Sequence, residues 1–336
     1  MLKPKNILLV RTDRIGELIL TTPAIRAVRE FFPAAKITFI ANPCSSGIME
    51  KSPFVDSVIK FDPVKINAGF YEKLKFFLMI KKLDLDLAII FNPSRFFNIL
   101  TFLAGIRRRV GYDRKAGFLL TDRLQDRKSL CEKHEVDYNL ELIEAVGIMT
   151  TNKNLYFPVD TSLREKIDTI LRTKSMDPGD RIIAVHPATS NPEKMWPAER
   201  FADLCDRIIE LGAKGVYGSR PIVVLIGAKE EKPVSEKMKA AMKNPVIDLM
   251  GAFTIKELGV FLKNCVCLIS NDSGPVHIAA AVGTPAAVFF GEERPGGSSK
   301  RWSPYGKRHL VISGPRVVDI TVEKAFADIT NWITRL

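Results

Sequence analysis

Cysteine is scarce in this 336-residue chain: Cys44, Cys131, Cys205, Cys265 and Cys267 are odd in number and scattered, with no Cys-x-x-Cys pair. That spacing points to neither a disulfide framework nor a zinc site, and a reducing compartment is the expectation. Long apolar runs are missing too. The longest, residues 96–106 and the stretch around 279–290, fall short of the about 20 residues a bilayer span needs. The early run at 7–10 stops at Arg11, too soon for a signal peptide. A cytoplasmic protein, not integral to a membrane, is expected. Low-complexity tracts and internal repeats are lacking, and 46% hydrophobic with 26% charged residues is a globular balance. The length suits two domains of ordinary size.

Two nucleotide signatures are absent. No Gly-x-Gly-x-x-Gly follows the first apolar run, which argues against a dinucleotide-linked oxidoreductase. The glycine-rich stretch 291–299 has no Lys-Ser/Thr after Gly296, so it is not a P-loop. Asp84-Leu85-Asp86 does match the Asp-x-Asp with which some sugar transferases hold a divalent cation. The pair precedes its strand, however, and ligands of parallel sheets bind beyond the carboxyl ends. No metal is expected there.

Acidic residues are the minority, 38 against 50 basic, for a net charge of +12. Such an excess favours nucleic acid, an anionic membrane surface or a phosphorylated substrate. Much of it lies between residues 95 and 128, where Arg95, Arg107, Arg108, Arg109, Arg114, Lys115, Arg123, Arg127 and Lys128 meet only Asp113, Asp122 and Asp126. A solvated basic face is the plain alternative. Nucleic acid is disfavoured, because only Phe96, Phe97, Tyr112 and Phe118 accompany the run and no recognised binding motif appears.

Short β-like runs alternate with amphipathic helical ones through both halves. The first half predicts strands at 6–11, 36–41, 57–61 and 86–91, with helices at 22–32 and 71–82. Thr22 before Pro23 suits an N-cap followed by proline at the first helical position. A helix already running through 17–20, kinked at Pro23, is equally open. The second half predicts strands at 181–186, 221–227, 266–270 and 286–290, and helices at 197–211, up to 264, from about 274 and at 322–335. Thr254 with Glu257 forms a capping box. The fold class is therefore α/β: two Rossmann-like, doubly wound parallel-sheet domains, 1–158 and 159–336. The joining region is 150–180, with Pro158 and Pro178-Gly179.

Three strand-end loops carry the chemistry. After the first strand stands Arg11-Thr12-Asp13-Arg14-Ile15-Gly16-Glu17, where Gly16 permits close approach and Glu17 sets a carboxylate at the mouth of the sheet. Alone, Glu17 is equally an acid favoured by a helix dipole. The second loop, His186-Pro187-Ala188-Thr189-Ser190-Asn191-Pro192-Glu193-Lys194-Met195-Trp196-Pro197, offers hydroxyls, backbone amides and one lysine, a set that suits a diphosphate. The third, Ser270-Asn271-Asp272-Ser273-Gly274-Pro275-Val276-His277, places small residues at a helix start, where free N–H groups bind anions. Read singly, Asp272 or Ser273 is an ordinary N-cap and His277 a core histidine.

Taken together these three motifs, with 249–258, the Gly-Thr-Pro at 283–285 and the Pro-Tyr-Gly at 304–306, resemble glycosyltransferase family 9, the heptosyltransferases of lipopolysaccharide inner-core assembly. The resemblance covers nearly the whole chain in order and spacing. It implies a GT-B fold, two Rossmann-like domains facing across a cleft, with the acceptor on the first and the nucleotide sugar on the second. The last helix would return to the first domain. It implies Glu17 as catalytic base, where the family usually has aspartate, with Asp13 the other carboxylate of the loop. Donor contacts fall on Thr189, Ser190, Lys194, Gly227, Phe253, Asp272, Ser273, Gly274 and His277, the loop being one residue longer before Lys194. Lys229 or Glu230 would approach the ribose. Acceptor contacts fall on Asp13, Arg14, Gly16, Arg107, Arg109 and Arg114.

The implied reaction is metal-independent, inverting transfer of a sugar, heptose from ADP-heptose, to an anionic glycolipid or glycan. It needs no cofactor beyond the nucleotide sugar, and peripheral contact with the inner membrane leaflet would bring the enzyme to its acceptor. Two other readings stay open: a nucleotide-sugar epimerase of GT-B fold, and a non-catalytic sugar-nucleotide or nucleic-acid binding protein.

Overall fold

Ile7, Leu8, Leu9 and Val10 are all fully buried, and an unbroken apolar run of this kind forms a strand covered on both faces. In the computed structural model, described for residues 4–177, 179–214, 221–293 and 296–336, this strand is the centre of the first of two units, Met1–Pro158 and Val159–Leu336. Pro178 of the joining region, and Arg294 and Pro295 of the glycine-rich stretch, lie outside the described residues.

The first unit carries β1 (Asn6–Arg11), β2 (Lys36–Ala41), β3 (Ser57–Lys60), β4 (Leu87–Ile90), β5 (Arg108–Tyr112) and β6 (Asp122–Leu124). Its helices are α1 (Ile15–Phe31), α2 (Pro43–Ser46), α3 (Pro63–Asn67), α4 (Phe70–Lys81), α5 (Arg95–Leu103) and α6 (Glu135–Glu144). The second carries β7 (Ile182–His186), β8 (Ile222–Leu225), β9 (Ile247–Asp248), β10 (Cys267–Asn271), β11 (Ala286–Gly291) and β12 (Leu310–Gly314). Its helices are α7 (Arg164–Arg172), α8 (Ala198–Ala213), α9 (Lys232–Ala241), α10 (Ile255–Lys263), α11 (Gly274–Val282), α12 (Ser299–Trp302) and α13 (Val322–Ile333).

Every strand pairing is parallel. The orders are β3-β2-β1-β4-β5-β6 and β12-β11-β10-β7-β8-β9. Each chain winds outward from its first strand, then crosses over and winds the other way. The switch points fall between β1 and β4 and between β7 and β10, and ligands of such sheets bind beyond the strand ends at these points.

Helix α1 starts seven residues earlier than 22. It opens at Ile15 and carries Pro23 in its interior. Proline has no N–H for the carbonyl four residues back, and helices ordinarily break there. Here the Thr22 hydroxyl donates to Ile19 O at 2.6 Å and fills the vacancy. Thr22 is thus an interior patch and not an N-cap, and Glu17 sits in the first turn.

The first core joins Leu8, Val10 and Ala88 to Phe76 and Ile80 of α4 and Phe97 and Leu100 of α5. In the second, Trp196 stacks on Phe289 at 4.2 Å and donates its ring N–H to Ile320 O at 2.8 Å. The apolar residues of the last helix, Val322, Ala325, Ile329 and Ile333, belong to the second unit's own core. Cys44 is exposed and the other four cysteines are buried. Among the described residues no helix is long and apolar enough to cross a membrane.

Candidate active site

At the first switch point the chain spends a large amount of buried charge. Arg11, the last residue of β1, is 2% exposed. Its Nε pairs with Asp13 at 2.7 Å, one terminal nitrogen with Glu135 at 3.1 Å, and the other donates to Asn139 Oδ1 at 3.0 Å. Lys128 reaches the same Glu135 oxygen at 3.1 Å and lies over the Tyr112 ring at 4.3 Å. Glu135 is fully buried, and the two cations offset its lost water. Across the switch point, Thr12 N–H donates to Asn92 Oδ1 and Asn92 Nδ2 to Thr12 Oγ1, each at 3.4 Å. The loops after β1 and β4 are thereby tied together.

Glu17 sits beside this network, half-buried at the third helical position of α1. Burial, and then the charge of neighbouring Asp13, push its carboxyl above the ordinary value, against the opposing pull of Arg11 and Arg14. A carboxylate raised in this way is a stronger base than a free one. Arg14 is exposed at the N-cap and Gly16 is buried inside the turn.

The second switch point is built from hydroxyls and one imidazole. His186 ends β7. Its Nδ1 meets Ser273 Oγ at 2.9 Å and its Nε2 meets Glu231 at 3.1 Å, while Ser270 Oγ lies 3.0 Å from Ser273 Oγ. Glu231 also accepts the Ala228 N–H at 2.7 Å. Burial works against the Glu231 carboxylate, but the His186 and Ala228 hydrogen bonds outweigh it and hold the group below its ordinary value. Asn271 Nδ2 donates to Pro187 O at 2.7 Å, and Asn271 Oδ1 accepts the Trp196 N–H at 2.9 Å. Four strand ends and loops are pinned by these few side chains.

Lys194 pairs with Asp272, and the two line a small recess with Glu193, Phe290 and Gly291. Thr189 is half-buried and Ser190 exposed in the same loop. Phe253 stacks on Phe261 at 4.8 Å just before α10, whose start carries the Thr254/Glu257 capping box. At Gly227 a Cβ would come within 2.5 Å of Met250 Sδ and 2.7 Å of Glu231, so the backbone approach there needs glycine. Asp272 and His277 are buried. The helix start offers fewer amides than expected: Pro275 has none, and Val276 N–H turns back to Ser273 O at 3.2 Å. Gly274 is left to supply the N–H.

Position divides the residues expected to meet the substrates. Arg107 and Arg109 stand at the amino end of β5, the edge opposite Glu17, where Arg108 N–H bonds Asp86 O. The Arg109 guanidinium is also committed to the Ile106 and Leu119 carbonyls. Neither stands on the edge that carries Glu17. Arg114, beyond the carboxyl end of β5, is on the right edge and pairs with Asp126 at 3.2 Å. Asp86 accepts the Lys5 and Asn6 amides at 2.7 and 3.0 Å, far from the switch point. Lys229 and Glu230 are exposed, and it is Glu231 that turns inward. Arg11, Lys128, Glu135, His186 and Glu231 were not among the expected site residues. The available signal was polarity at strand ends, as in Arg11 and His186.

Known proteins similar to this chain include heptosyltransferases. A family model described as glycosyltransferase family 9 (heptosyltransferase) matches residues 74–325. The chain is similar to the lipopolysaccharide core heptosyltransferase OpsX of Haemophilus influenzae, 20% identical over 341 residues, 99% of this chain and 91% of the relative. The glycosyl transferase family 9 structure from Veillonella parvula DSM 2008 is similar with a TM-score of 0.84 at 21% identity, covering 99% of this chain and 98% of that one. The ADP-heptose lps heptosyltransferase II of E. coli gives 0.78 at 18% identity, over 98% and 99%. The fold they share with this chain is GT-B.

Proposed function

The chain belongs to glycosyltransferase family 9, and from that premise we propose that it transfers heptose from ADP-heptose, with inversion, to an anionic glycan or glycolipid of the lipopolysaccharide inner core. Support for the substrates comes from the names of the relatives, a lipopolysaccharide core heptosyltransferase and an ADP-heptose lps heptosyltransferase. Support for the chemistry comes from one observation. Glu17 is a carboxylate raised by burial at the switch point of the first sheet, next to an Asp13 already paired with Arg11.

In this reading Glu17 takes the proton of an acceptor hydroxyl as that oxygen attacks the anomeric carbon. Attack comes from the face opposite the diphosphate. The carbon–oxygen bond to the diphosphate breaks, and the nucleoside diphosphate leaves with the electron pair. Lys194, Thr189, Ser190 and the Gly274 N–H offset the charge that develops on it. Phe253 faces the base, Gly227 admits the ribose, and Asp272, Ser273 and His277 shape the helix start. Asp13, Arg14, Gly16 and Arg114 line the acceptor side. Neither a metal nor a cofactor takes part, and the enzyme works at the inner face of the cytoplasmic membrane.

The test is incubation of purified protein with ADP-, GDP- and UDP-sugars, with and without acceptor. Transfer from the ADP-sugar only when acceptor is present is the expected result. A donor altered in the absence of acceptor would make the protein an epimerase. A thermal shift without any chemical change would leave only a binding protein.

A further inference from the structure

Helix α4 is amphipathic in an unusual sense: it is apolar on both sides. Phe76 and Ile80 face the core, where the Phe76 ring lies 5.6 Å from Phe61 and 6.0 Å from Phe96 of α5. On the outer face Phe70, Leu74 and Leu78 recur at every fourth position, with Tyr71 between them, and all four are exposed, Phe70 by 80% and Tyr71 by 72%. Residues spaced in this way share one stripe of a helix. Lys73, Lys75, Lys81 and Lys82 are exposed around that stripe, and the one acid of α4, Glu72, is half-buried. Neighbouring α5 repeats the pattern on a smaller scale. Ile99, Phe102 and Leu103 are exposed at i, i+3 and i+4, with Arg95 one turn before Ile99 and no acid on the helix.

A contiguous exposed apolar patch marks an interaction site, and the surrounding charge selects its occupant. Lysine is depleted in protein–protein interfaces. Helices that lie in a bilayer surface combine bulky apolar side chains with lysine and arginine that meet anionic headgroups. The long lysine stems can lie along the apolar surface while their charges reach outward. Placement within the unit agrees. A helix between two parallel strands runs back against them, so the starts of α4 and α5 lie at the carboxyl edge of the sheet, the edge that carries Glu17. Phe118, in a short turn between β5 and β6, is 73% exposed.

We propose that the outer face of α4 with the stripe of α5 docks the first unit on an anionic bilayer surface, so that the acceptor is taken while still embedded in the membrane. The acceptor clause rests on the glycolipid reading above; the docking clause does not. The experiment is co-sedimentation of the full chain with phosphatidylcholine vesicles that contain or lack phosphatidylglycerol, at low and high salt, with no sugar nucleotide present. Wild type binds the anionic vesicles, less so at high salt. The L74Q/L78Q and K75E/K81E/K82E variants bind about tenfold more weakly or worse, with unchanged melting temperature. Both variants keep wild-type turnover on a deacylated, soluble acceptor and lose it on vesicle-embedded acceptor. Docking is overturned if wild type ignores anionic vesicles, or if both variants sediment like wild type. It is equally overturned if wild type is a dimer that L74Q/L78Q converts to monomer, which would make the face an interface between copies. Vesicle binding without any glycosyl transfer would keep the docking and sink the acceptor reading instead.

Discussion

The two units share a strand order and a switch point, yet they fill that point with opposite chemistry. In the first, two buried cations and two carboxylates meet around Arg11, with Glu17 beside them. In the second, an imidazole links two hydroxyls to one carboxylate around His186. Topology decides where a site lies on such a sheet, and side chains decide what the site can do. In the first unit, burial and then the Asp13 charge raise the basicity of Glu17 against the pull of Arg11. A ring of hydroxyls and N–H groups, with Lys194 nearby, suits a diphosphate whose charge it need only receive.

The comparison breaks most readily at the buried charges. Glu135→Gln leaves Arg11 and Lys128 facing each other without their shared anion, and is expected to destabilise the protein by roughly 3–5 kcal/mol. Glu231→Gln in the second unit keeps hydrogen-bonding capacity and should lower stability by only about 1 kcal/mol. Urea denaturation of both variants measures the pair. Equal losses would show that the two pivots are not different in kind.

Turnover separates the units next. Glu17→Gln should lower kcat by about 10²–10⁴-fold while leaving ADP affinity as it is. A rate within about threefold of wild type would pass the role of base to Asp13. Lys194→Ala should show the converse, with ADP and donor bound about tenfold more weakly, as for loss of a charge-assisted hydrogen bond. Calorimetry that finds the nucleotide affinity unchanged would take Lys194 out of the donor site.

A smaller effect sharpens the acid–base assignment. Glu17 must be ionised to accept a proton, so activity falls as pH drops through its raised pKa. Burial is the main cause of that rise and the Asp13 charge the second. Asp13→Asn removes the second, so the Glu17 pKa falls and the acid limb of the kcat profile moves to lower pH. A limb that moved upward or stayed in place would mean that another group titrates. Least of all should change with chelator. Excess EDTA is expected to leave activity intact, because in the proposed mechanism Lys194 and the Gly274 N–H offset the charge of the leaving group. Loss of activity that Mg²⁺ restores would overturn the metal-free mechanism.

Legibility in the sequence followed the range over which each feature is encoded. The apolar run of β1, the Thr254/Glu257 capping box and the Gly274 helix start are local, and they stand in the structure where their residues put them. Thr22-Pro23 is local as well but left two readings open, because a threonine before proline also signals a helix start. Only the bond from its hydroxyl to Ile19 O shows that the helix continues. The basic run at 95–128 reads as one patch along the chain, but β5 carries Arg107–Arg109 and Arg114 to opposite edges of the sheet. That Glu231 and not Lys229 or Glu230 reaches His186 is decided by a short turn at Lys229–Glu231, which the spacing does not encode. Arg11 and Glu135 are 124 positions apart, and no spacing rule connects them.

The distribution of thiols supplies a built-in reporter for the contrast between the units. One cysteine, Cys44, is open to a maleimide in the folded chain. Cys131 is hidden in the first unit, whereas Cys205, Cys265 and Cys267 are hidden in the second. Burial holds the Cys267 thiol at about 12, so a reagent that needs thiolate meets little there until the unit opens. A count of labels per molecule along a denaturant ramp therefore distinguishes the order of events. A step from one label to two records the first unit unfolding alone, and a step from one to four the second. Run on Glu135→Gln and Glu231→Gln, the same count assigns each loss of stability to its own half of the molecule.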